Sequence, residues 1–72
     1  MKIILIMLVC SFVSGTCTPP LVLDERFDNM YDCLIRGYEE SIKMTVERGR
    51  EEVNKHGLFT RFACREELET NT

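Results

Sequence analysis

Two kinds of hydrophobic pattern divide the chain. Residues 3–13 are an almost unbroken apolar run, IILIMLVCSFV, interrupted only by Ser11. From residue 24 onward the apolar positions are spaced, at Phe27, Tyr31, Leu34, Tyr38, Ile42, Thr45 or Val46, and Val53. The early steps are four, three, four and four, which is the spacing of one face of an amphipathic helix. Arg36, Glu40, Lys43, Glu47, Arg50 and Glu51 fall on the other face. Glu39 precedes Lys43 by four, Glu47 precedes Arg50 by three and Glu51 precedes Lys55 by four. Each such pair adds roughly 0.2–0.5 kcal/mol to an exposed helix.

The termini of this stretch carry helix signals. Asp24 suits an N-cap, and Glu25 and Asp28 place negative charge in a first turn. Lys55 and His56 precede Gly57, which suits a left-handed stop. Residues 24–56 are therefore expected to be helical, with a break at Gly37 as the alternative. Residues 59–69, bearing Phe59, Phe62, Ala63 and Leu68, are expected to form a second, shorter helix, with 69–72 as a polar tail. Between the apolar run and the long helix, residues 16–23 read as an extended arm, because the adjacent Pro19 and Pro20 forbid a helix before them.

The apolar run reads as a secretory leader. Lys2 supplies a positive start, Ser14 and Gly15 are small, and Val13 and Gly15 fit the positions read by a signal peptidase. The run is too short for a membrane span, which needs roughly 20 apolar residues. Cleavage after Gly15 removes residues 1–15 and leaves 57 residues. Lys2 leaves with them, taking the formal charge from −3 to −4. That acidity argues against nucleic-acid partners and against cationic membrane disruption. A domain of this size commonly needs disulfides.

The chain has four cysteines, and Cys10 would leave with the leader. Cys17, Cys33 and Cys64 would remain, an odd number that implies a free thiol or a disulfide-linked homodimer. Cleavage after Cys17 would instead leave only Cys33 and Cys64. In one straight helix Cys33 sits about 36 Å below Gly57, out of reach of Cys64, so Cys17 would be its partner. A break at Gly37 brings Cys33 and Cys64 together, and this pairing is slightly preferred. Cys33 falls off the main apolar stripe, on a weaker one with Met30, Gly37 and Met44.

These readings predict an all-α mini-protein: a disulfide-stabilised helical hairpin, or three short helices. One histidine, His56, and the absence of Cys-x-x-Cys leave no metal pattern, and no cofactor motif is present. Cys64 and His56 are too poor a constellation for a nucleophile and base in a chain with no evident oxyanion hole. The expected role is a secreted, non-enzymatic, toxin-like polypeptide that binds an extracellular protein or receptor, through Tyr31, Tyr38, Phe59 and Phe62. The same four residues are also natural core candidates. The alternatives are a precursor of a regulatory peptide, cut and amidated at Arg48-Gly49-Arg50, and a disulfide-linked dimer with a structural or carrier role.

Overall fold

A computed structural model describes residues 2–67. It shows a mixed α/β domain, with an antiparallel three-stranded sheet covered on one face by helices. In chain order the elements are β1 (Ile3–Ser11), β2 (Leu21–Phe27), α1 (Met30–Arg48), α2 (Arg50–His56) and β3 (Leu58–Glu66). The all-α expectation is overturned.

The reason lies in β1. The apolar run that reads as a leader is the central strand, with order β2-β1-β3 and both neighbours antiparallel to it. An antiparallel strand covered on one face ordinarily alternates apolar with polar; here the other face is apolar as well, which makes the run nearly continuous. Ile3, Leu5, Met7 and Val9 point toward the helices and are buried, while Ile4, Ile6 and Leu8 lie half-buried on the other face. The period of two is present, but side chains on both faces are apolar, so it is masked.

β2 and β3 both run antiparallel to β1 and hence parallel to each other, with one strand between them. The α1–α2 crossover makes that connection, as parallel strands require. β3 pairs with β1 in continuous register from Ile3↔Glu66 to Ser11↔Leu58. A helix was expected over residues 59–69, yet residues 58–66, LFTRFACRE, form a strand and alternate: Leu58, Thr60, Phe62 and Cys64 lie on one face, and Phe59, Arg61, Ala63 and Arg65 on the other. Residues 68–69 of the expected second helix, and the 69–72 tail, lie outside the described residues.

α1 begins later than Asp24, because residues 21–27 pair with β1. Asn29 is the N-cap; its side chain accepts a 2.8 Å hydrogen bond from the Asp32 backbone N–H. α1 passes through Gly37 without a break and ends at Gly49, whose φ of 89° separates it from α2. Gly57, at φ 60° and ψ 48°, ends α2 in the left-handed conformation and donates to the Val53 carbonyl.

Gly37 is needed for approach. It is buried against β3, and a Cβ there would overlap the Phe62 ring. The helix face that meets the sheet is the weaker stripe, Cys33, Gly37 and Met44. These pack with Ile3, Leu5, Met7, Phe27, Leu23, Phe62 and Cys64. Small residues let the helix sit close to the strands.

All four cysteines are paired within the chain, Cys10 with Cys17 and Cys33 with Cys64. The odd cysteine, and with it the cysteine-linked homodimer, is therefore excluded. Cys17 joins Cys10, and it bonds to neither Cys33 nor another chain. Cys33 reaches Cys64 without a break at Gly37, because residues 58–66 run as an extended strand beneath α1 instead of folding down it as a helix. The two differ in loop size: the Cys33–Cys64 separation of 31 gives about 3–4 kcal/mol in the chain-entropy model, more than the short Cys10–Cys17 loop.

Candidate functional site: an outward apolar helix face

α1 turns its richer apolar stripe away from the sheet. Tyr31 (73% exposed), Leu34, Ile35, Tyr38, Ile42 (66%) and Val46 (72%) all lie on the solvent side. At 100° per residue they fall within about 60° of one line along the helix, opposite Cys33 and Gly37. Ser41, Ile42, Thr45 and Val46 line a shallow, almost wholly apolar groove at its C-terminal half. Six large apolar side chains in one strip are more than the scattered exposed residues of an ordinary surface.

The four residues expected to form a contact surface do not stay together. Tyr31 and Tyr38 lie on the outward stripe. Phe62 is half-buried under α1, and its ring meets Tyr38 edge-on, with centroids 4.9 Å apart and planes at 88°. Phe62 thus anchors Tyr38 from below. Phe59 is exposed on the opposite face of the sheet, by strand alternation from Phe62. Leu34, Ile42 and Val46 were visible in the helical spacing, but that spacing reads as a core face. Ile35 has a weaker signal, since it lies beside the regular steps.

Charges border the stripe. On the side facing β2, Arg36 donates to Glu25 at 3.0 Å and to Glu40 at 2.6 Å. These carboxylates, Glu40 foremost through its hydrogen bond, hold the guanidinium more firmly protonated than usual. The Arg36–Glu25 pair ties α1 to β2, and Arg36–Glu40 lies within α1. Glu39 and Lys43, one turn apart, form no ion pair with each other or with another described residue. They stand free at the border of the outward stripe.

The other face of the sheet is different in kind. Ile4, Ile6 and Leu8 run down its middle, and register places Arg26 and Arg65 beside Ile4 and Arg61 beside Leu8. Arg26 is tied to Glu67 at 3.0 Å and to the Leu23 and Asp24 carbonyls. No group of three or more His, Cys, Asp or Glu is placed to hold a metal among the described residues, and no helix is long and apolar enough to cross a membrane. The chain matches no protein-family model, no curated protein and no solved structure.

Proposed function

We propose that this chain is a secreted, non-enzymatic polypeptide that acts by binding a protein target through the outward face of α1. The supporting observation is that stripe: the most apolar side of an amphipathic helix, presented on a disulfide-tied scaffold and exposed among the described residues. Amphipathic helices commonly recognise partners through side chains spaced three and four apart, and Tyr31, Leu34 or Ile35, Tyr38 and Ile42 have that spacing. Tyrosine adds contact area at low entropic cost and is enriched where interfaces are strong. Two disulfides in so small a chain favour an oxidising compartment.

This fold requires β1, so the form that carries it keeps residues 3–11. Removing residues 1–15 would take Ile3, Leu5, Met7 and Val9 from the core and Cys10 from Cys17. The experiment is the intact mass of the product released by secreting cells, before and after reduction. A full-length species that gains four hydrogens on reduction supports a secreted, folded binder. A product starting at Thr16 would overturn the binder as described, and retention inside the cell would overturn secretion. Photo-crosslinking from benzophenylalanine at position 31 or 38 then reads the contact. A discrete adduct competed by unlabelled chain supports the stripe, and adducts only from position 59 would move the contact to the other side of the sheet.

One observation favours the precursor reading. Arg48-Gly49-Arg50 is the helix break itself, with Gly49 at positive φ and both arginines exposed. A chain cut there would remain joined through Cys33–Cys64. Two fragments that separate only on reduction would establish it.

A further inference from the structure

We propose that the free edge of β3 takes an extended segment of a partner protein as a fourth strand, its side chains alternating between acidic and apolar. This site lies beside the outward stripe of α1 and does not depend on it.

The hydrogen-bond pattern defines the edge. β3 is an outer strand of the sheet, and its ladder with β1 is flanked by two hydrogen-bonded pairs. The Glu67 N–H donates to the Lys2 carbonyl and the Phe12 N–H to the Gly57 carbonyl, each at 2.8 Å. Hydrogen-bonded and open pairs alternate along an antiparallel ladder. Phe59, Arg61, Ala63 and Arg65 therefore turn their backbone groups to β1. Leu58, Thr60, Phe62, Cys64 and Glu66 turn theirs outward, and none of these takes part in another backbone hydrogen bond among the described residues.

Outer strands are commonly blunted by proline, lysine or a bulge. The other edge, β2, has an irregular register opposite Ile4 and Ile6, and Pro19 and Pro20 stand just before it. β3 has no proline, no lysine and no bulge along its nine residues. The Cys33–Cys64 bond holds it under α1, so the edge is formed before a partner arrives.

The surroundings specify the occupant. Around α1, Arg36 lies about 60° from Cys33 on the side of β2, where it meets Glu25. Leu34 and Tyr38 lie about 100° and 140° the other way, and Tyr38 reaches Phe62 from that side. They border the β3 edge, and an added strand would set apolar side chains against them. On the opposite face Arg61 and Arg65 are exposed and form no ion pair among the described residues, while Glu67 is held by Arg26. Carboxylates on the alternate positions of the segment would complement them. A second copy of β3 fits badly. It would bring its own Arg61 and Arg65 to the same face, and its own α1 against this one, because α1 sits directly over Phe62 at Gly37.

The probe is a nine-residue peptide alternating valine with glutamate, titrated into the full, oxidised, isotope-labelled chain. Binding below millimolar concentration is expected. At saturation, hydrogen exchange at Leu58, Thr60, Phe62 and Cys64 should slow by about tenfold or more, while Phe59, Arg61, Ala63 and Arg65, already bonded to β1, change less. Arg61→Glu and Arg65→Glu should each weaken binding by about fivefold, and a valine–lysine peptide should prefer those variants to wild type. No binding at millimolar peptide overturns the proposal, as does protection without the alternation. Equal binding by the charge-reversed variants overturns the acidic occupant. Alternate protection in the chain alone, together with a dimer in sedimentation, would make the occupant a second copy and overturn the partner segment. Each of these failures leaves crosslinking from position 31 to test the stripe.

Discussion

β1 and α1 treat hydrophobicity in opposite ways. In β1 the apolar side chains are where the core is: Leu5 is fully buried, Met7 nearly so. In α1 the core contact is made by Cys33 and Gly37, while Tyr31, Ile42 and Val46 face out. The strand gains stability from burial of its side chains. The helix is held by close approach, by a disulfide and by the Arg36 clamp, which frees its apolar side for other contacts. Hydropathy therefore identifies the core in one element and the available surface in the other.

The comparison is most severely strained by a charge in β1. Leu5→Asp should prevent folding of the oxidised chain, because a buried carboxylate without a partner costs several kcal/mol. Loss of dispersed amide resonances would show it, and a folded variant would remove β1 from the core. Next comes the tie between helix and sheet. Replacing Cys33 and Cys64 together by alanine should lower unfolding free energy by about 3–4 kcal/mol in urea titration. Gly37→Val should lower it by about 1–3 kcal/mol, because the new side chain meets the Phe62 ring.

The smallest effect lies at the end of β1. Lys2 donates a 2.7 Å hydrogen bond to Asp28, and that bond, followed by the lysine's charge, lowers the Asp28 pKa below its ordinary value. A depressed carboxylate stabilises the fold above its unfolded pKa, and the contribution fades as pH falls through the lower folded pKa. Both groups are exposed, so the stability change should be slight. Carbon-detected titration of Asp28 should give a midpoint below the ordinary aspartate value, and Lys2→Met should remove the lowering.

The sequence made some of this legible and hid the rest for specific reasons. Helical spacing from Tyr31 to Val46 was plain, and so were the small residues of the weaker stripe. Which stripe faced inward was not, since helix periodicity locates an apolar face but does not say what covers it. β1 was masked because a central strand with apolar side chains on both faces has the same composition as a secretory leader. β3 was masked because Phe59, Phe62 and Ala63 also suit a helix, and its alternation has apolar Phe59 and Ala63 on the side that carries Arg61 and Arg65. The odd cysteine arose because Cys10 was assigned to the leader; in the structure Cys10 pairs with Cys17. Of the four residues expected to make contact, Tyr31 and Tyr38 lie on the outward stripe of α1, Phe62 packs beneath Tyr38, and Phe59 lies on the other face of the sheet.

The inverted helix is tested most directly by a pair of urea titrations on dilute, oxidised protein, where self-association is negligible. Ile42→Asp should leave the unfolding free energy within about 0.5 kcal/mol of wild type, as an exposed substitution does. Gly37→Val should lower it by about 1–3 kcal/mol. The reverse order, a collapse with Ile42→Asp and tolerance of Gly37→Val, would mean that α1 packs on the sheet with its apolar stripe inward, contradicting the account.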